Sequence, residues 1–105
     1  MSYDTVNYET VEPAAPGMHF LRDPLDAENL GVTVLDAEEG WEGMEHDHAE
    51  DGQEEIYVLL SGAATVTIDG EDVDLDAGDA VRIDAGASRD ITVHEDSQWV
   101  LAGAP

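Results

Sequence analysis

Two histidines separated by a single aspartate, His46 and His48, with a carboxylate shortly downstream at Glu55, are the residues of this sequence best suited to chemistry. In an extended strand, residues i and i+2 project to the same face, so the two imidazoles would stand together. Glu55, Tyr57 and Leu59 share one face of the segment that follows. If that segment folds back on the first as a hairpin, two imidazoles and a carboxylate converge into a 2-His-1-carboxylate set. Such a set suits a divalent transition metal (iron, manganese, zinc, nickel or copper) and leaves positions open for water or substrate. Glu54 is the neighbouring alternative to Glu55, and Tyr57 is a candidate wall of the same cavity and contact for a substrate. The chain has no cysteine, which removes disulfides, thiolate zinc sites and thiol nucleophiles together. None of its serines stands in a nucleophile-elbow context.

The elements that must position these residues are strands. Met18 to Arg22, Gly31 to Leu35, Met44 to His48, Glu55 to Leu60, Ala63 to Ile68, Glu71 to Leu75, Ala80 to Ile83, Ser88 to His94 and Gln98 to Leu101 are each short, β-branched or alternating. Asp69-Gly70 between two of them is a type I′ hairpin signal, and Asp76-Ala77-Gly78-Asp79 is a second turn. Helical periodicity is missing; Asp26 to Asn29 is at most one turn of helix. An all-β domain follows, either a sandwich, a jelly roll or a small barrel. Residues 1–17, with Pro13, Pro16 and Gly17, read as an N-terminal extension to a single domain spanning 18–105.

A chain of 105 residues with 42% hydrophobic content can bury one core. No apolar run approaches the ~18 residues of a bilayer span, and the first residues have neither the basic nor the apolar region of a signal peptide. A cytoplasmic protein without a membrane partner is expected. The charge is extreme: 26 acidic residues against three arginines and no lysine give a formal net charge of −23. The acids are spread along the chain, with six in 1–35, eleven in 36–70 and nine in 71–105. Nucleic-acid binding is excluded, because three arginines cannot track a phosphate backbone. Adaptation to a salt-loaded cytoplasm, as in halophilic archaea, explains the charge better than DNA mimicry or multivalent-cation binding.

Two stretches resemble a known family. "GWEGMEHDHAEDGQEEIYVLLSG", residues 40–62, looks like the first motif of the cupin superfamily, G-x5-H-x-H-x3–4-E-x6-G. "GDAVRIDAGASRDITV", residues 78–93, resembles its second motif, G-x5-P-x-G-x2-H-x3-N. The resemblance implies a cupin double-stranded β-helix, or jelly-roll barrel, of six to eight strands. It also implies a metal near the barrel axis held by His46, His48 and Glu55, and often a homodimer. A dimer also suits a small antiparallel barrel with edge strands to hide, and the N-terminal segment, with Tyr3 and Tyr8, reads as a swapped or interface strand for it.

The sequence departs from the pattern in several places. Six residues, Ala49 to Glu54, separate His48 from Glu55, more than the motif has, although Glu55 keeps the interval to Gly62. Asp84 replaces the second motif's proline and Val93 its asparagine. Arg89 stands where the motif has a metal-binding histidine, and a guanidinium cannot ligate a metal. Arg89 is therefore either a clamp for an anionic small-molecule substrate or the partner of a partly buried Glu55 in a metal-free site. His94 and His19 are the candidates for a fourth ligand, His94 only through a bulge because its strand parity is wrong. Trp41, Met44 and Phe20 either cap the barrel mouth or pack beneath a loop, and Trp99 reads as a core or interface residue. Fold resemblance selects no single reaction. The expected function is a metal-binding enzyme, oxygenase- or isomerase-like, acting on a small polar or anionic metabolite, with a non-catalytic ligand-binding or sensor protein as the alternative.

Overall fold

The computed structural model describes residues 2–43 and 45–105, so Met44, which opens one predicted strand and belongs to the predicted apolar cap, lies outside the described residues. Among those residues the chain forms eight strands: β1 (Met18–Phe20), β2 (Gly31–Ala37), β3 (Glu54–Ser61), β4 (Ala63–Ile68), β5 (Glu71–Asp76), β6 (Ala80–Ile83), β7 (Arg89–Val93) and β8 (Ser97–Ala104). They build a larger sheet in the order β1-β2-β8-β3-β6 and a smaller one in the order β5-β4-β7. Every strand pairing is antiparallel. This is the all-β, double-sheet architecture expected from the strand spacing.

The period-2 pattern of the sequence sorts directly into inside and outside. In β8, Ser97, Trp99, Leu101 and Gly103 are buried while the residues between them are partly exposed. Arg89, Ile91 and Val93 do the same in β7. The inward side chains of both sheets form one core that includes Leu35, Leu59, Val66, Ile83, Val93 and Trp99. Trp99 is wholly buried and donates from Nε1 to Ser97 Oγ at 2.9 Å, so it is a core residue with its polar atom satisfied.

The β4–β5 hairpin closes at Asp69 and Gly70, both at positive φ (49° and 80°), as a type I′ turn requires. On the outer face of this hairpin, acids stand opposite threonines. Thr65 Oγ1 donates to Asp74 at 2.7 Å and Thr67 Oγ1 to Asp72 at 2.8 Å, which anchors part of the acidic coat across the strands. Gly62, the last residue of the first motif, sits between β3 and β4 with φ of +87°. A Cβ there would stand 2.5 Å from the Asp96 carbonyl oxygen, so both its conformation and its space require glycine.

The N-terminal segment carries one short element: Tyr8–Thr10 form a 3-10 turn, because Asn7 accepts from the Glu9 amide as an N-cap. No helical turn forms over Asp26 to Asn29. The turn spans 22–26 instead, closed by Leu25 N–H on Leu21 O (3.1 Å), and Asp26 itself has φ of 53°, which is incompatible with continuing a right-handed helix.

Candidate metal centre

The segment carrying His46 and His48 does not form a hairpin with β3. It lies along the free edge of β7, through bridges between Glu42 and Thr92 and between His46 and Arg89. His46 N–H donates to Arg89 O (3.0 Å), Arg89 N–H to His46 O (2.8 Å), and His48 N–H to Ala85 O (2.8 Å). β3, with Glu55, pairs with β6 and β8 in the other sheet. The six residues between His48 and Glu55, too many for a tight hairpin, carry the chain from one sheet to the other. The histidines and the carboxylate therefore meet between the two sheets, with His46 exposed and His48 and Glu55 partly buried, rather than along a strand pair.

They do meet. Ligand atoms of His46, His48 and Glu55 all lie within 4.8 Å of one another. The two imidazole rings are 5.2 Å apart and perpendicular. His48 Nε2 stands 3.2 Å from Glu55 Oε1. The opposite ring nitrogen, Nδ1, lies 3.1 Å from each carboxylate oxygen of Asp51. Asp51 was not among the residues singled out from sequence; its signal is the lengthened interval after His48, which folds as a turn with Gly52 N–H on His48 O (2.8 Å) and Gly52 at φ of +67°.

Glu55 is selected over Glu54 by strand parity. Glu54 points out to solvent, where it accepts from Arg82 Nε at 2.6 Å. Glu55 Oε1 accepts from Arg89 Nη1 at 2.6 Å and from the Tyr57 hydroxyl at 3.3 Å. Tyr57 is buried and packs edge-on against Trp99. Burial, with the Glu55 charge adding to it, pushes the Tyr57 phenol far above its ordinary value, so it stays protonated as a donor.

Arg89 has none of its surface exposed. Besides Glu55, its Nη2 donates to Asp84 O at 2.6 Å and its Nε to Ala87 O at 3.0 Å. Of the two alternatives for this residue, the geometry is that of the partner to Glu55, and Arg89 is absent from the walls of the adjoining cavities. Neither candidate fourth ligand reaches the cluster. His94 Nε2 is bound to Thr65 Oγ1 (2.8 Å) on the outer face of the smaller sheet, and His19 Nδ1 lies 2.8 Å from Val11 O against the N-terminal segment.

The three-residue cluster opens into a cavity of about 400 Å³ walled by His46, His48, Glu55, Tyr57, Phe20 and Arg22, among others. A second cavity shares Met18, His46, Tyr57 and Leu101 with it and reaches Trp41. Phe20 and Trp41 thus border the barrel opening, with the Trp41 indole donating to Pro16 O at 2.9 Å.

Sequence comparison agrees with this architecture: residues 33–102 match the family model described as the Cupin domain. The chain belongs to the cupin family. Among solved structures, this cupin is 31% identical to a cupin protein from Bacteroides fragilis, with 95% of this chain and 86% of that one covered and a TM-score of 0.76. An RmlC-like cupin from Shewanella frigidimarina is 18% identical over 100% of this chain and 95% of its own, with a TM-score of 0.78. A sugar phosphate isomerase of the cupin superfamily from Silicibacter pomeroyi is 19% identical over 97% and 76%, with a TM-score of 0.76. None of the curated proteins matches the chain.

The residues present fit the metal that cupins commonly hold. Two nitrogens and one oxygen converge, and Asp51 occupies the position behind His48 that a carboxylate takes behind a metal-bound imidazole. All three contacts to Glu55 fall on Oε1, so Oε2 carries none of them. Replacing Asp51 by asparagine is expected to weaken metal affinity roughly 10–100-fold without loosening the fold. Competition with a chromophoric chelator would measure it, and an unchanged affinity would remove Asp51 from the site.

Proposed function

We propose that this cupin binds one divalent transition metal through His46, His48 and Glu55 and takes a small polar or anionic metabolite in the adjoining cavity. The observation that carries this reading is the convergence of the three ligand atoms at the wall of a 400 Å³ cavity. A metal held there supplies Lewis-acid polarisation of a carbonyl or hydroxyl oxygen. The chain's own groups do the rest. Asp51 fixes the His48 ring, Arg89 anchors the Glu55 carboxylate through Oε1, Tyr57 stays protonated, and Phe20 narrows the way in. Isomerase-type or oxygenase-type conversion is the reaction class proposed, and a sugar phosphate isomerase among the structural neighbours supports the first at the level of fold.

A second reading is favoured by one specific contact. Arg89 already supplies a cation 2.6 Å from Glu55, which supports a metal-free binding or sensor role. The two are separated by incubating metal-loaded protein with small hydroxy-carbonyl metabolites in deuterated molar salt, with an oxygen electrode in parallel. The enzymatic reading predicts deuterium exchange or oxygen uptake that disappears on chelation and in His46→Ala. Neither signal from any metabolite, with metal present, would leave the binding role.

The charge of −23 supports adaptation of this protein to a salt-loaded cytoplasm. A homodimer belongs to the same proposal. Ala80, Val58, Val100 and Val34 stand side by side across four strands of the larger sheet, with Ile56 43% exposed beside them, a face suited to a second copy.

A further inference from the structure

The protein has three arginines, and two are committed. Arg82 is on the surface between Glu54 (2.6 Å) and Asp84 (2.8 Å), and Arg89 is buried on Glu55. Arg22 differs from both: it lines the cavity that contains the metal cluster, and among the described residues its guanidinium has no hydrogen bond or ion pair. A guanidinium without a carboxylate is anomalous in a chain with 26 acids.

Its position follows from two glycines. Gly31 of β2 pairs with Gly103 of β8, and Gly103 pairs with Glu55 of β3, so the three residues form one row on the cavity face. A Cβ on Gly103 would lie 3.0 Å from Glu55 Cγ, and a Cβ on Gly31 would lie 2.6 Å from Arg22 Nη2 and 3.3 Å from its Cζ. The guanidinium therefore folds over Gly31 on the same face as the Glu55 side chain, with Gly103 between them and the Gln53 amide over it, Oε1 3.3 Å from where a Gly103 Cβ would stand. Two strand spacings separate the Arg22 end of this trough from the Glu55 end, about 10 Å between backbones. Asp23, which also lines the cavity, makes no ion pair with Arg22 among the described residues.

We infer that Arg22 is the anion anchor of the cavity, so that the metabolite carries a carboxylate or phosphate at one end and presents an oxygen to the His46–His48–Glu55 cluster at the other. Arg22 offers a fork of donors that a planar carboxylate or a phosphate matches, and the 400 Å³ volume suits one small metabolite. The inference rests on the metal reading for the far end of the metabolite only.

The test is calorimetric titration of inorganic phosphate and of malonate, with glycerol as a neutral control, in molar potassium chloride. It uses wild type, Arg22→Gln, Gly31→Ala and Arg82→Gln, each metal-loaded and chelator-treated, with near-ultraviolet dichroism to confirm folding. Salt at 1 M screens charges beyond ~3 Å, so only local contacts register. Wild type is expected to bind the anions and not glycerol, with the tighter of phosphate and malonate naming the class. Arg22→Gln should lose roughly 10–100-fold in affinity. Gly31→Ala, whose methyl must displace the guanidinium, should lose a comparable factor, and Arg82→Gln should be unchanged. Anion binding equal in wild type and Arg22→Gln, or no binding of either anion by wild type, overturns the inference. Binding that needs Arg22 and survives chelation upholds the anchor even if the metal reading falls.

Discussion

Replacing Arg89 by methionine is expected to cost about 3–5 kcal/mol of folding stability, a large part of the ~5–15 kcal/mol that holds a domain together. The argument is local. Arg89 is wholly buried and serves three acceptors at once: the Glu55 carboxylate, Asp84 O and Ala87 O. Methionine fills a similar volume but leaves a largely buried carboxylate and two carbonyl groups without their donors. The backbone of the same residue also pairs with His46, so the loss falls where the two sheets meet at the site. Denaturant titration in molar salt would show a lowered midpoint. Lysine at this position should rescue only part of it, because an ammonium cannot reproduce the forked geometry. Removing the carboxylate as well, in Glu55→Leu with Arg89→Met, should recover the part of the loss that comes from the unpaired charge, leaving the two carbonyl groups without donors. A stable Arg89→Met single variant would mean that the Glu55 pairing contributes little to the fold.

Dilution from molar to low salt is the second large effect. Sharing 6447 Å² of surface among a net charge of −23 leaves about 280 Å² per charge, or ~17 Å between neighbours, against a screening length of ~3 Å in 1 M salt and ~30 Å in 0.01 M. At high salt the charges are independent, and at low salt each repels many others. The thermal midpoint is therefore expected to fall steeply as potassium chloride is removed. A loss of even ~3 kcal/mol would lower it by roughly 12–24 °C in a domain of this size. A midpoint that does not change with salt would show that the acidic coat is neutral in its effect on folding.

The local features of this fold were legible in the sequence, and the long-range ones were not. Asp69-Gly70 specified its hairpin because the turn demands two positive φ values in succession. Alternation put Tyr57 and Leu59 on the face of Glu55, and both are buried, because the strand period is fixed by the backbone. The interval to Gly62 favoured Glu55 over Glu54, and the strand turns the two to opposite sides. The partner of the His46–His48 segment was misread as β3, because nothing in a strand's own sequence specifies which distant edge it joins. The lengthened linker was the clue, and it also held Asp51. Arg89 left two alternatives open until its acceptors were known, two of them backbone carbonyls of a nearby turn. Arg22 drew no attention because its position depends on Gly31 and Gly103, which become neighbours only through strand register.

The central claim is that His46, His48 and Glu55 hold a metal in a site braced by Arg89. Elemental analysis of the protein, purified in molar salt without chelators and shown by dichroism to be folded, tests it most directly. Low salt must be avoided, because unfolding would release the metal. About one equivalent of a single divalent transition metal per chain is expected, with that metal lost in both His46→Ala and His48→Ala while the fold is retained. Folded wild-type protein without metal, even after incubation with iron(II), manganese, zinc, nickel and copper in turn, would contradict the account.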